Sequence, residues 1–342
     1  MQPRASWSNF LTAHPRGSGD PGFGGGKDAG RSVEYSQTSE RRFSLGPRFR
    51  GDERNWVGRR RLLIGAGTVL FSAPAWAGST RDFAAIEAGL GGRLGVHAFE
   101  RGGPRRLSYR AGERFPMCST FKALLVGAVL EKTDQGALSL ARRIPYTEAD
   151  LLEYAPIARA HLAEGGLTVQ ALCEAAVELS DNTAANLLIA LIGGPAALTA
   201  RLRAWGDAET RLDRNEPSLN SAIPGDPRDT TTPAAMAASL ERLIYGAVLK
   251  PGSRALLKGW MVSCKTGLTK LRAGLPAGGT IGDKTGNNGH DTEGDNAFVE
   301  IGGRTVVMSV YLAWTKVDQK AQDAAIAEVA GLIAAQFGLV RP

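Results

Sequence analysis

Ser119 and Lys122 stand three residues apart at the head of a run, 123–130, whose apolar residues recur with helical spacing. Residues three apart share a helix face, so the lysine amine can reach the serine hydroxyl. A serine hydroxyl is a poor nucleophile at its own pKa and needs a base within hydrogen-bond reach. Lysine can supply one when its amine is desolvated or surrounded by other donors. Ser119 also follows Phe115-Pro116 and opens the helix, where free backbone N–H groups and the positive helix end favour developing negative charge. Such a hydroxyl is suited to attack a carbonyl. Alone, the pair reads equally as a helix-capping serine and a solvated lysine.

Three further motifs follow in order: Ser180-Asp181-Asn182, Glu216-Pro217-Ser218-Leu219-Asn220 and Lys284-Thr285-Gly286. Read alone, the first is a capping run and the last a strand-end turn. Their conjunction with Ser119-x-x-Lys122 reads as an acyl-transfer enzyme. At the end of a predicted strand, Gly286 permits close approach of a ligand, and Lys284 with Thr285 can bind a carboxylate. A second Lys-Thr-Gly at 265–267 has no strand pattern leading into it and is read as a chance match. Glu216 is the discriminating residue, since releasing an acyl group to water takes a base.

On these motifs the chain, from about residue 80 to its end, resembles the class A serine β-lactamases of the penicillin-recognising serine enzyme superfamily. The resemblance implies hydrolysis of the β-lactam amide of penicillins and cephalosporins through an acyl-Ser119 intermediate. It makes Ser119, Lys122, Ser180 and Glu216 the catalytic set, with Ser180 passing a proton to the leaving nitrogen. Asn182, Asn220, Lys284, Thr285, Gly286 and Asn287 would bind substrate, Asn220 pairing with Glu216 and the Asn287 backbone N–H joining that of Ser119 in an oxyanion hole. Tyr154 resembles the family's cleft-wall aromatic. Arg214 and Asp229 resemble an ion pair across the base of the Glu216 loop, and Asp181 a structural residue. The alternative is a D-alanyl-D-alanine carboxypeptidase or transpeptidase of the same fold, a penicillin-binding protein, which would lack the Glu216–Asn220 pair.

The chain also departs from the family pattern. Many members place an arginine on the strand after Lys-Thr-Gly, whereas residues 287–293 contain none, and Lys270 is the candidate replacement for binding the substrate carboxylate. Some members bridge a cysteine at the position of Cys118 to one at that of Asn288, which asparagine cannot do. Cys118 itself adjoins Ser119, but Lys122 then falls at a spacing that lacks the motif. Cys118, Cys173 and Cys264 are an odd number, so at least one is unpaired, and Cys173 fits a buried small hydrophobe. His14, His97, His161 and His290 are too scattered for a zinc site, and neither metal nor cofactor is expected.

Net charge is +7, but residues 1–77 carry 12 of the 41 Lys and Arg against 6 of the 34 Asp and Glu, leaving +1 for 78–342. No nucleic-acid partner is implied. Arg59-Arg60-Arg61, the apolar run 62–71 and Ala75-Trp76-Ala77 form the charged, apolar and small-residue parts of a secretory leader, 57–77, with arginines suggesting the twin-arginine route. The run is too short to span a bilayer. Residues 1–56, rich in Gly, Arg, Ser and Pro, read as an extension that is either disordered or foreign to the natural protein, with a start near Val57. The expected product is a periplasmic monomer with no membrane span and a small β-lactam as its partner.

The pattern of elements defines the frame for these residues. A helix at 81–90 and strands at 93–100 and 106–110 come first, then a helical block without a convincing strand. Strands at 280–284, 297–301 and 305–314 and a helix at 321–337 come last. This is an α+β fold, an antiparallel sheet of about five strands with flanking helices built from 78–118 and 262–342. An all-α part, 119–261, is inserted, and the site is expected in the cleft between them.

Overall fold

The computed structural model describes residues 76–339. Residues 1–56, most of the predicted leader and His14 lie outside them. Helix α1 (Trp76–Leu90) leads into the hairpin of β1 (Arg93–Glu100) and β2 (Arg106–Tyr109). A two-residue strand β3 (Phe115–Pro116) then delivers the chain to a 3-10 turn, Cys118–Thr120, and to α2 (Phe121–Asp134).

The inserted block holds β4 (Arg143–Pro145), α3 (Pro156–Ala160), β5 (Gly166–Thr168), α4 (Val169–Glu178), α5 (Asn182–Ile192) and α6 (Pro195–Ala204). After β6 (Thr230–Thr231) come α7 (Pro233–Ile244) and α8 (Pro251–Val262). A short α9 (Leu271–Gly274) returns the chain to β7 (Thr280–Asn287), β8 (Glu293–Ile301), β9 (Arg304–Ala313) and α10 (Gln319–Gln336).

The main sheet is antiparallel with strand order β2-β1-β9-β8-β7, so strands from both ends of the chain pair at its centre. This is the expected five-stranded sheet. The helical block is not wholly free of strands, however: β4 pairs with β5, and β6 with β3. Pairs of two or three residues carry no alternation from which they could be read.

Both faces of the central strand β9 are covered, which is why Val306 to Ala313 reads as a nearly continuous apolar run. Ala297 and Val299 pack with Ile326, Val329 and Ile333 of α10, whereas Phe298 between them joins the core around α2. Within α2 every residue from Phe121 to Leu130 is buried, as expected of a helix running through the middle of a domain rather than along its surface. A lysine in that helix has no water to turn to.

Turn and cap chemistry fixes the helices around it. Asp181 Oδ1 accepts from Ala184 N at 2.8 Å and caps α5, while Oδ2 accepts from Ile157 N and Ala158 N at 2.9 Å and caps α3. Asp181 is fully buried, consistent with a structural role. Thr232 and Asp318 cap α7 and α10 in the same way.

Candidate active site

The turn Cys118–Thr120 presents Ser119 at the head of α2, and Cys118 holds it there in a left-handed conformation, φ 44°. Such a backbone is uncommon for a residue with a side chain. Burial also pushes the Cys118 thiol up, away from thiolate, so Ser119 and not its neighbour is the available nucleophile. All three cysteines are free and buried.

Lys122 Nζ donates to Ser119 Oγ at 2.9 Å, the Ser180 carbonyl at 2.8 Å, Ser180 Oγ at 3.3 Å and Asn182 Oδ1 at 2.6 Å. It also meets Glu216 Oε1 at 3.0 Å. Burying an ammonium costs several kcal/mol, and this shell of acceptors offsets it only in part. Burial holds Lys122 below the usual lysine range against the opposing pull of Glu216.

Ser180, which precedes α5, is itself left-handed at φ 58°, and its hydroxyl also accepts from Lys284 Nζ at 3.1 Å. Lys284 lies within β7, which runs on through Asn287 rather than ending at the motif. Its ammonium also donates to the Thr285 carbonyl at 2.7 Å, and burial lowers it to about 8. Gly286 is required where it stands: a Cβ there would come within 2.6 Å of Ser119 N and 2.7 Å of Thr120 N. Any side chain would cover the N–H groups at the nucleophile.

Glu216 is delivered by the loop 211–229. Its Oε1 accepts from Ser119 Oγ at 3.0 Å and its Oε2 from Asn220 Nδ2 at 2.6 Å. Its backbone N–H and carbonyl are both bound by the Asn186 amide of α5 at 2.9 Å. At the loop's base Arg214 Nε donates to Asp229 Oδ2 at 2.6 Å, and Met117 N donates to the Asp229 carbonyl at 2.9 Å. Trp314 Nε1 donates to the Ala222 carbonyl at 2.7 Å and ties the far side down to the sheet. The carboxylate is therefore fixed relative to Ser119 by three separate elements.

These groups converge on a cleft of about 800 Å³. Ser119, Ser180, Asn182, Asn220, Thr285, Gly286 and Asn287 line it, Tyr154 stands half-exposed at its edge, and Lys122, Glu216 and Lys284 lie buried just behind the wall. One sequence expectation is overturned. Lys270 does not line the cleft: it is buried, with its ammonium 3.0 Å from Glu293 and 2.8 Å from Asp323. It is committed to two carboxylates and has no charge to offer a substrate.

Conversely, Thr266, from the tripeptide dismissed as chance, does line the cleft, its Oγ1 2.5 Å from Thr285 Oγ1. The repeated Lys-Thr-Gly was the only mark of it in the sequence. His290 and Ser218 also reach the wall, through loops that adjoin Asn287 and Glu216.

Comparison with known proteins agrees with this geometry. Residues 79–337 match the model of the beta-lactamase enzyme family. Beta-lactamase L2 of Stenotrophomonas maltophilia is 46% identical over 272 residues, 78% of this chain and 89% of that protein. Among solved structures, a β-lactamase from Xanthomonas campestris is 47% identical over 77% of this chain and 99% of its own, with a TM-score of 0.75. The class A β-lactamase of the last common ancestor of Gram-negative bacteria is 54% identical over 75% and 98%, with a TM-score of 0.74. Identity of this order, sustained over nearly the whole length of each relative, places the chain in the class A serine β-lactamase family.

Proposed function

We propose that the protein hydrolyses the amide of penicillins and cephalosporins through an acyl-Ser119 intermediate. The observation that carries the reading is the double contact at Ser119 Oγ, 2.9 Å from Lys122 Nζ and 3.0 Å from Glu216 Oε1, with Asn220 holding the other carboxylate oxygen. Ser119 gives its proton to this pair as it attacks the carbonyl carbon. The oxyanion is met by the backbone N–H groups of Ser119 and Asn287, each such donor contributing roughly 3–4 kcal/mol to kcat. Ser180, within reach of Lys122 and Lys284, passes a proton to the ring nitrogen as the C–N bond breaks. Glu216 then takes a proton from water as that water attacks the ester, and Ser119 leaves with its hydroxyl restored.

Lys284 and Thr285 bind the substrate carboxylate, and Tyr154 shapes the mouth of the cleft. A penicillin-binding protein would acylate and stall, and the Glu216–Asn220 pair speaks for turnover instead. Export to the periplasm on the leader 57–77, and action there as a monomer, complete the reading. Among the described residues no single helix is long and apolar enough to cross a membrane.

The test is intact-mass spectrometry after mixing with a penicillin. Glu216→Ala should gain the mass of one substrate and keep it far longer than the parent, since general-base help contributes roughly 10²–10⁴-fold. Ser119→Ala should gain nothing. A Glu216→Ala variant that releases product at the parental rate would remove Glu216 from deacylation, and a parent that stays acylated would make the protein a penicillin-binding protein.

A further inference from the structure

We infer that Thr266 is a positioning residue for the carboxylate subsite: its hydroxyl donates to Thr285 Oγ1 and so turns the Thr285 proton toward the substrate. The inference rests on the proposed reading of the cleft as a β-lactam site.

Thr285 Oγ1 and Thr266 Oγ1 lie 2.5 Å apart, so one of the two hydroxyls donates and the other accepts. Each has a single proton. If Thr285 spends its proton on Thr266, it offers an incoming carboxylate only lone pairs, which repel it. If Thr266 donates, Thr285 is free to donate into the cleft. The second arrangement leaves the Thr266 oxygen free to accept, and the Cys264 thiol lies 3.3 Å from it, with the Asp283 carboxylate as its other neighbour. With Thr266 donating, the chain Thr266, Thr285, carboxylate runs in one direction.

The segment carrying Thr266 is fastened closely enough to hold that direction. Gly267 lies flat on Asp283, whose Oδ2 would be 1.5 Å from a Cβ at that position. Arg272 Nε donates to Asp283 Oδ1 at 2.6 Å, and Leu271 N donates to Asp295 Oδ2 at 3.2 Å. Lys270, four residues beyond Thr266, is locked between Glu293 and Asp323, and Lys265, just before Thr266, is exposed and acts on Glu178. The subsite therefore relies on Lys284 and on hydroxyl geometry, which makes the orientation of one hydroxyl count for more.

The experiment compares benzylpenicillin with its methyl ester, which lacks the anion, on the full chain and its Thr266→Val, Thr266→Ala and Thr266→Ser variants. Losing an oriented donor to a charged group should raise KM for the acid roughly five- to twentyfold in both the Val and Ala variants, with kcat little changed. Thr266→Ser should restore KM, and hydrolysis of the ester should be the same in all four proteins. An unchanged KM for the acid, or equal losses on acid and ester, would overturn the assignment. A parent that fails to hydrolyse benzylpenicillin at all would instead overturn the proposed function, and this inference with it.

Discussion

Lys122 and Glu216 meet at 3.0 Å with both side chains shut off from solvent, and each reaches the same oxygen, Ser119 Oγ. Two groups acting on one atom do not act independently. Lys122→Ala and Glu216→Gln should each reduce kcat/KM for nitrocefin by roughly 10²–10⁴-fold, and the double variant should lose little more than the worse single one. Losses that multiply would show that the two serve separate steps only. Lys122→Ala should also unfold more readily, by about 3 kcal/mol or more, because it leaves Glu216 buried and unpaired.

Lys270 should matter to stability and not to substrate. Lys270→Met removes the cation shared by Glu293 and Asp323, and burial already holds Glu293 up at about 7. Denaturant titration should show a loss of about 3 kcal/mol, while KM for a penicillin stays within about twofold of the parent. A large rise in KM without a change in stability would return Lys270 to the cleft.

Lys284 gives a pH signature. Burial lowers its ammonium to about 8, so in the free enzyme the charge is present below that pH and is lost above it. Because kcat/KM reports groups of the free enzyme, its value for anionic penicillins should fall as pH rises through about 8. A profile flat to about pH 9.5 would mean that the charge on Lys284 is dispensable for capture.

Gly286→Ala should abolish turnover and impair folding together, since the added carbon would sit 2.6 Å from Ser119 N. The measurement is circular dichroism melting beside nitrocefin hydrolysis. A soluble, fully active Gly286→Ala would mean that β7 can retreat without disturbing the nucleophile.

Residues 78–342 should fold and work without what precedes them, as the leader reading requires. The fragment keeps every motif residue and all but two residues of α1. Expressed alone, it should match the full chain in melting temperature and nitrocefin turnover. An unfolded fragment beside an active full chain would refute the cut at Ala77.

How far the sequence reached depended on where each residue's partners lie in the chain. Ser119 and Lys122 are one helical turn apart, so a local rule was enough to pair them. Strand β1 alternates enough, and β9 is apolar and β-branched enough, to be seen singly, and helices such as α7 and α10 carry enough periodicity. Lys270 was misjudged because its two counter-charges lie 23 and 53 residues further on, and no local pattern announces an ion pair closed by tertiary packing. Thr266 was passed over for the same reason: what brings it to Thr285 is a loop that folds back across β7, held by Arg272 on Asp283. The ribbons β4–β5 and β3–β6 were invisible because two or three residues cannot show a period.

The unbroken burial of α2 from Phe121 to Leu130 has an evolutionary consequence. Ser119 and Lys122, the proposed nucleophile and its partner, are anchored in the part of the molecule least able to accept change, where trimming a leucine to alanine costs about 2–5 kcal/mol. Tyr154, His290 and Ser218 instead come from loops that meet only at the rim of the cleft. Selection for new antibiotics can therefore act on one of these loops at a time, exchanging exposed side chains while the reaction centre stays as it is.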